Sequence, residues 1–350
     1  MKRPILGVTM GDPAGVGPEI IARALAEPAV IASSRPVVIG SAAIMKEALG
    51  LVGSPLALHV VRGIADSRWE ARTLECLDLG NVEAATLPRG EVSAAAGRAA
   101  YDYIERAIRL AQAGEIHGIV TAPVNKEALA AAGMPHTGHT EILARLSNTA
   151  DFAMLLMGHD LRVIHVTTHV ALRRVPELVT RERVLKTIRL AQTTMLGLGR
   201  RDARIAVAGL NPHAGEDGLF GDEEKTAIAP AIEAARAEGM TVIGPLPADT
   251  LFSRARGGEF DIVVAMYHDQ GLIPVKLLAF DQAVNITIGL PIIRTSPDHG
   301  TAFDIVGRNR ANPGSMRAAI ELAIDLAVKR HVKAQATKIS KPQMNADERG

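Results

Sequence analysis

Short apolar runs rich in Val and Ile alternate with longer alanine-rich segments along most of the chain. Segments with helical periodicity, such as GRAAYDYIERAIRLAQAG and TRERVLKTIRLAQTTMLG, separate these runs. Strands that alternate with helices of this length form mostly parallel sheets covered on both faces, so the pattern predicts an α/β fold. The predicted strands are PILGVTM (4–10), RPVVIG (35–40), GIVTAP (118–123), DLRVIHVTTH (160–169), ARIAVAGLN (203–211), DIVVAMYH (261–268) and AVNITIGLPIIR (283–294).

The length of the chain allows one large α/β body or two domains. Its 350 residues exceed the roughly 250–300 at which a single core stops growing. A polar, loop-rich stretch over about 125–150 interrupts the regular units and favours more than one layer. From Val332 onward the sequence loses apolar periodicity and gains Lys, Gln, Asn and Pro, which predicts a disordered tail over 332–350.

Composition excludes several classes of function. Lys and Arg number 39 against 38 Asp and Glu, so there is no bias toward nucleic acid or another polyanion. No apolar stretch of about 20 residues exists for a membrane span, and the start reaches Gly and Pro before a signal-peptide core could form, which predicts a cytoplasmic protein. Cys76 is the single cysteine, so any metal site must be built from His, Asp or Glu.

Three predicted strands are each followed by a histidine. His169 follows VIHVTT, His213 follows IAVAGLNP and His268 follows VVAMY. Ligands of open α/β sheets bind outside the carboxyl ends of the strands, so these side chains are expected at one edge. Taken singly, each is more simply a hydrogen-bonded structural histidine. Together they favour a three-histidine site for Zn²⁺ or Co²⁺, with Asp269 and Glu216 available to orient the rings.

A second group of residues suits an anionic ligand. His139 and Thr140, in PHTGHTEILA, are predicted to begin a helix, where free N–H groups and the helix dipole favour an anion. Lys276, Asn285 and Arg294 follow on later segments and add cations and an amide donor. The alternative is a capped helix with solvated surface cations, and the sequence alone does not exclude it.

Two loops are candidates for binding a nucleotide cofactor. TMGDPAGVGPEI (9–20) lies between a predicted strand and a helix, but it lacks the G-x-G-x-x-G spacing and contains Pro13 and Pro18. RTSPDHGTAFDIVGRNRANPGS (294–315) is the better candidate, because its small residues would let the backbone approach a flat ligand closely. An ordinary long loop is an equally simple interpretation.

The chain resembles a known enzyme family through motifs in a fixed order. GDPAGVGPE, TAPVNK, TGHTE, TTH, GLNPHAGE, GPLPADT, MYHDQG, VNITIGLP and IRTSPDHGTA resemble those of the 4-hydroxythreonine-4-phosphate dehydrogenase (PdxA) family, over about residues 5–330. GDPAGVGPE and DHGTAFDIVGRNRANP are also similar to segments of the isopropylmalate and isocitrate dehydrogenases. The resemblance implies an isopropylmalate dehydrogenase-like fold of two α/β domains around a central cleft. The first would hold roughly 1–120 and 285–331, and the second roughly 121–284 with the dimer interface.

The same resemblance implies roles for individual residues. One divalent metal ion per site (Zn, Co or Mg) would be bound by His169, His213 and His268, shared across a homodimer. The substrate would be bound by His139, Thr140, Lys276, Asn285 and Arg294. The adenosine part of NAD, or of NADP, would be bound by His299, Gly300, Thr301, Ala302, Asp304 and Asn312. The proton acceptor is left open among Asp249, Asp269 and Lys126, of which Lys126 is also a candidate carboxylate ligand.

The implied reaction is oxidation of the C3 hydroxyl of a 4-phosphorylated four-carbon hydroxy acid, followed by decarboxylation of the β-keto acid. Candidate substrates are 4-phosphohydroxy-L-threonine, from pyridoxine biosynthesis, and 4-phospho-D-threonate or D-erythronate. LFGDEE, LIPVKLLAF and the ANP after GRNR favour the phosphothreonate type. The alternatives are a terephthalate dihydrodiol-type dehydrogenase of the same family, a metal-dependent hydrolase or lyase that does not use NAD, and a non-catalytic metabolite sensor.

Overall fold

The computed structural model describes residues 3–134 and 138–339, with side chains described as far as residue 332. Within this part of the chain, twelve strands form a single sheet. The strands are β1 Ile5–Thr9, β2 Arg35–Gly40, β3 Ala57–Val61, β4 Thr73–Asp78, β5 Gly118–Thr121, β6 Ala153–Gly158, β7 Leu161–His165, β8 Ile205–Ala208, β9 Val242–Leu246, β10 Ile262–Ala265, β11 Val284–Ile288 and β12 Arg294–Pro297.

Helices connect most of these strands. They are α1 Gly17–Ala24, α2 Pro28–Ser33, α3 Ala42–Leu51, α4 Ala94–Gln112, α5 Lys126–Ala131, α6 His139–Leu146, α7 Val175–Leu178, α8 Arg181–Gly197, α9 Ala229–Ala237, α10 Ala248–Arg256, α11 His268–Ala279 and α12 Gly314–Ile339. Side-chain caps fix several of their starts: Ser93 caps α4, Asn125 caps α5 and Thr180 caps α8 by accepting from backbone N–H groups.

The strand order is β3-β4-β2-β1-β5-β12-β11-β6-β7-β10-β8-β9. Pairing is parallel within β3-β4-β2-β1-β5-β12 and within β7-β10-β8-β9. The pairs β12-β11, β11-β6 and β6-β7 between these two blocks are antiparallel. The mostly parallel α/β fold expected from the sequence is confirmed, whereas the predicted division into two domains stays a prediction.

Both faces of the second parallel block are buried, as the apolar runs predict. Along β10, Ile262 and Val264 pack into one apolar cluster, whereas Val263 and Ala265 pack into another. Helices α8 and α9 contribute to the first cluster through Val184 and Ile232, and α10 and α11 contribute to the second through residues such as Leu251 and Val275. Covering both faces makes these strands apolar throughout rather than alternating.

The structure differs from the sequence-based expectation at three places. The run 283–294 forms two antiparallel strands, β11 and β12, with Gly289 at φ +91° in the turn between them. Strands β3, β4, β6 and β9 were not predicted; β3 is partly exposed, and β9, VIGPL, contains Gly and Pro. Helix α12 continues past Val332 to Ile339, and residues 340–350 of the predicted tail lie outside the described residues.

Among the described residues, no helix is both long enough and apolar enough to cross a membrane.

Candidate active site

A cleft of about 880 Å³ opens where the two parallel blocks of the sheet meet. Strands β6, β11 and β12 lie side by side beneath it. Met154 on β6 is in register with Thr287 on β11, and Arg294 on β12 donates a hydrogen bond to the Thr287 hydroxyl. Parts of α5, α6, α8 and α11 form its walls. The cleft is therefore assembled from segments far apart in sequence, which is typical of an α/β ligand site.

Arg294 is the most unusual residue of the cleft. It is 3% exposed, and its guanidinium donates to Thr121 Oγ1 at 2.8 Å, to Thr287 Oγ1 at 2.9 Å and to Asn285 Oδ1 at 3.4 Å. These partners are all neutral, and no ion pair of Arg294 with a carboxylate occurs among the described residues. Burial lowers the pKa of Arg294 to about 9. The charge of Glu141, which also lines the cleft, opposes this effect of burial but forms no ion pair with Arg294 among the described residues. A buried cation without a directly paired anion is costly, so the site favours an anionic ligand.

The other predicted substrate residues line the same cleft as Arg294. His139 begins α6, as the sequence predicts, and Thr140 follows it in the lining of the cleft. Burial and the charge of Arg294 hold the pKa of His139 well below its ordinary value, so this imidazole is neutral. Lys276 reaches the cleft from α11 and pairs with Asp298, with 3.0 Å between Nζ and Oδ2. We call His139, Thr140, Lys276, Asn285 and Arg294 the anion end of the cleft.

His169 and His268 also line the cleft, with ring centroids 5.6 Å apart. They follow β7 and β10, which are neighbours in the sheet, and β8, which precedes His213, is the next strand. Burial, Lys126 and His268 lower the pKa of His169, which favours the neutral, metal-binding form of the ring. The Asp269 carboxylate contacts His268 Nδ1 at 2.6 Å, so it orients that ring and leaves Nε2 for a ligand.

His213 is not brought to the other two histidines. It is exposed and does not line the cleft; its nearest ring is that of Phe220, at 6.2 Å. Within the described residues, no group of three or more His, Cys, Asp and Glu side chains forms a metal-binding cluster. Of the three predicted metal ligands, two therefore line the cleft of one chain and the third lies on its surface. We call His169, His213 and His268 the histidine end.

The three candidates for the proton acceptor occupy different places. Lys126 begins α5 and lines the cleft near His169. The Asp269 carboxylate is hydrogen-bonded to the His268 ring. Asp249 is exposed on the first turn of α10, outside the cleft lining, and accepts from the Thr250 backbone N–H at 3.0 Å. Only Lys126 and the His268–Asp269 pair are thus positioned at the cleft of their own chain.

The two loops that the sequence presented separately pack against each other. His299 and Gly300 line the cleft, and space is open around Gly300. The Thr301 carbonyl accepts from the Val16 N–H at 3.0 Å, and a side chain at Gly15 would collide with Thr301. Ala302 has a left-handed φ of 43°, Asp304 lies in a 3₁₀ turn, and Asn312 accepts from the Gly314 N–H at 2.8 Å. The glycine loop therefore supports the loop from His299 onward.

The comparisons with known proteins agree with these motifs. The profile of the pyridoxal phosphate biosynthetic protein PdxA family matches residues 32–323. The chain belongs to this family.

Relatives of the PdxA family cover nearly the whole chain. It is 50% identical to the D-threonate 4-phosphate dehydrogenase of Cupriavidus necator, over 93% of this chain and 98% of that protein. It is 47% identical to the 4-hydroxythreonine-4-phosphate dehydrogenase of Desulforapulum autotrophicum, over 92% and 95%. A crystal structure of the 4-hydroxythreonine-4-phosphate dehydrogenase of Klebsiella pneumoniae superposes with a TM-score of 0.86 at 48% identity, over 93% and 98%. The expected enzyme class, a dehydrogenase acting on a CH–OH group, is confirmed.

Sequence reasoning missed two cleft residues in this PdxA-family chain. His165, at the end of β7, is 3% exposed and burial lowers its pKa to about 4, while its Nδ1 lies 3.4 Å from the Met154 carbonyl oxygen. Asp298, the partner of Lys276, lies in the RTSPDHGTA segment, where the sequence indicates a cofactor loop but no ion pair. His165 lies inside an apolar run and gives no periodic signal, but a polar residue within such a run is itself an indication of a site.

Proposed function

We propose that this PdxA-family enzyme oxidises the C3 hydroxyl of a 4-phosphorylated four-carbon hydroxy acid with NAD⁺, and that the resulting β-keto acid loses carbon dioxide. A 4-phospho-D-threonate or D-erythronate is the first substrate to test, and 4-phosphohydroxy-L-threonine is the second. The D-threonate 4-phosphate dehydrogenase of C. necator, 50% identical, supports this order.

The observation that carries the proposal is the buried guanidinium of Arg294, whose hydrogen-bond partners are all neutral. A phosphate would supply a directly paired anion and accept hydrogen bonds from the guanidinium, Lys276 and the Asn285 amide. Helix α6 begins beside it at His139, and its first free N–H groups add donors. Because these contacts are remote from C3, they would take no part in the chemistry, and their binding energy would serve to position the reacting carbon.

His169 and His268 support a divalent metal at the other end of the substrate, since two neutral imidazoles in one cleft are suitable donors. When bound, such an ion would act as a Lewis acid toward the hydroxyl and the charge developed on decarboxylation. Asp269 would hold the His268 ring in its binding orientation. Lys126, next to His169, would bind the substrate carboxylate or exchange the proton.

His213 and Asp249 would serve the cleft of a second copy, because neither lines the cleft of its own chain. An apolar stripe on α11 supports the homodimer that this requires. Ile273, Leu277 and Phe280 are 55%, 81% and 74% exposed, and they are spaced by four and three residues. Leu219 and Phe220, near His213, and Leu172, near His169, are exposed as well. Large apolar side chains exposed in this number favour burial against a partner.

NAD would lie along the loop from His299 to Asp304. The open space at Gly300 beside the cleft would admit the flat adenine ring, and the Val16 N–H of the glycine loop holds the Thr301 carbonyl in place. Asn312, which closes the turn before α12, would contact the adenosine part. Separate measurement of NADH and NADPH formation distinguishes NAD from NADP.

The test is a screen for NADH and NADPH formation over 4-phospho-D-threonate, 4-phospho-D-erythronate, 4-phosphohydroxy-L-threonine and a terephthalate dihydrodiol, with Zn²⁺, Co²⁺ or Mg²⁺ added to chelator-treated enzyme. We expect turnover of a phosphorylated acid only with metal present, with release of carbon dioxide. Unphosphorylated threonate is the matched control, and equal turnover of it would refute the role of the anion end. Tight binding of the phosphorylated acids without any NAD(P)H formation would refute the oxidation itself.

A further inference from the structure

Gln270, in the MYHDQG motif, lies between two of the strand ends that carry the histidines. Its side-chain Oε1 accepts from the Met266 N–H at 2.6 Å, and its Nε2 donates to the Gly209 carbonyl oxygen at 2.7 Å. Met266 is two residues before His268, and Gly209 is four residues before His213. One amide thus joins the end of β10 to the end of β8.

The end of β7, the third strand followed by a histidine, is hydrogen-bonded to Met266 as well. The Met266 carbonyl oxygen accepts from Thr167 Oγ1 at 2.8 Å and from the Thr167 N–H at 3.2 Å. Thr167 is fully buried and lies two residues before His169. Thr167, Met266, Gln270 and Gly209 therefore form a continuous hydrogen-bonded chain across β7, β10 and β8.

The segment after Gly209 needs such support because of its backbone conformation. Five consecutive residues, His213 to Asp217, have positive φ values between 41° and 83°. For residues other than glycine, left-handed geometry costs roughly 1–2 kcal/mol each, so this turn is not stable by itself. The Glu224 carboxylate stabilises the residues just before this turn, because it accepts hydrogen bonds from the N–H groups of Leu210 and Asn211 at 2.7 and 2.8 Å.

We propose that Gln270 is a positioning residue that sets the place of His213 relative to His268 and, through Met266 and Thr167, to His169. The contacts require both an acceptor and a donor on one side chain, which an amide supplies and a carboxylate does not. The inference rests on the proposed metal-binding role of the three histidines. It assigns no ligand and no reacting group to Gln270 itself.

The test compares Gln270→Glu with wild type. The carboxylate keeps the bond from the Met266 N–H but places a second acceptor against the Gly209 carbonyl, so that link is lost. We expect affinity for Co²⁺ to fall about 10- to 100-fold and the visible absorption of bound Co²⁺ to change. In the metal-free protein, amide hydrogen exchange of residues 209–217 should become faster, while exchange in β1–β5 is unchanged.

Gln112→Glu is the matched control, because the Gln112 amide also donates to a backbone carbonyl, that of Leu146 at 3.3 Å, but away from the cleft. It should leave Co²⁺ affinity and exchange as in wild type. Gln270→Met, which removes both bonds without adding charge, should reproduce the effect of Gln270→Glu and serves if the charged variant does not fold.

The outcomes separate the two proposals. If wild type binds Co²⁺ and Gln270→Glu binds it with the same affinity, spectrum and exchange pattern, the positioning role is overturned. Exchange that accelerates throughout the chain would also overturn it, since Gln270 would then act only on global stability. If wild type binds no Co²⁺, the proposed metal centre fails, and hydrogen exchange at 209–217 alone decides whether Gln270 holds this segment.

Discussion

The anion end and the histidine end of the cleft differ in how completely one chain assembles them. At the anion end, all five predicted residues line one cleft, and Arg294 and Asn285 contact each other directly. At the histidine end, His169 and His268 meet, whereas His213 faces outward from the neighbouring strand. Under the proposed function, phosphate binding would therefore need only a single chain, whereas metal binding would need a dimer.

The backbone after each strand explains this difference. Only two residues separate His268, the first residue of α11, from the end of β10, so its position follows from the strand end. His213 lies four residues beyond Gly209 in a left-handed turn that directs it away from the cleft. Adjacent strands therefore do not guarantee adjacent side chains when the connecting loops differ in conformation.

Dimers that combine two different histidine variants should give the largest effect, and they test whether the histidine end is shared between two chains. His213→Ala and His268→Ala should each abolish metal-dependent NAD reduction, because each removes one donor from every site. If His213 serves the partner's cleft, a mixed dimer of the two variants contains one complete site, so unfolding and refolding a 1:1 mixture should restore about a quarter of wild-type activity. The measurement is NADH formation before and after refolding.

A mixture of His169→Ala with His268→Ala is the control, because both residues belong to one cleft. Since each chain would then lack a donor in its own cleft, no activity should return. Recovery in this control, or none with His213→Ala and His268→Ala, would contradict the shared arrangement.

Arg294→Met probes the anion end and has the next largest effect. Loss of the guanidinium should lower kcat/KM for the phosphorylated substrate about 100- to 1,000-fold, roughly 3–4 kcal/mol. Without ligand the same variant should melt about 2–4 °C higher than wild type, because it removes a buried charge with neutral partners only. The low pKa of Arg294, about 9, means that this cost is fully present at neutral pH and declines only above that value.

Initial-rate kinetics checks the loss in kcat/KM, and calorimetric melting with and without inorganic phosphate checks the change in stability. Phosphate should stabilise wild type and leave Arg294→Met unchanged. Equal stabilisation of the two proteins would show that phosphate binds elsewhere.

Leu277→Lys tests whether the exposed apolar stripe forms the dimer interface that the histidine end would need. A lysine at this exposed position of α11 should weaken a dimer formed through the stripe and shift sedimentation toward the monomer, with activity falling at low protein concentration. Phosphate binding should persist, because the anion end needs only one chain. Leu51→Lys, at an exposed leucine on α3, is the control and should leave sedimentation unchanged. A Leu277→Lys protein that sediments as wild type would exclude the stripe from the interface.

The sequence predicted more of the cleft than of its surroundings. Apolar runs located the central strands because burial on both faces makes them continuously apolar, and motif spacing located Arg294, Lys276 and the histidines. The edge strand β3, with exposed positions, and β9, with Gly and Pro, carry no such signal. The direction of His213 and the pairing of Lys276 with Asp298 depend on loop conformation and on tertiary contacts, which no local pattern specifies.

The Lys276–Asp298 pair offers the smallest and finest test of the anion end. Unlike Arg294, Lys276 already has a carboxylate partner, at 3.0 Å, and Asp298 is 14% exposed on its side chain. An arriving phosphate must share or displace that carboxylate, so Asp298→Asn should strengthen binding of inorganic phosphate about 3- to 10-fold, or roughly 1 kcal/mol, in a calorimetric titration. Asp325→Asn removes a comparable ion pair with Lys329 on α12 and should leave phosphate binding unchanged. Weaker binding by Asp298→Asn would instead mean that the carboxylate holds Lys276 in its binding position, and the anion end would then depend on Asp298 as well as on Arg294.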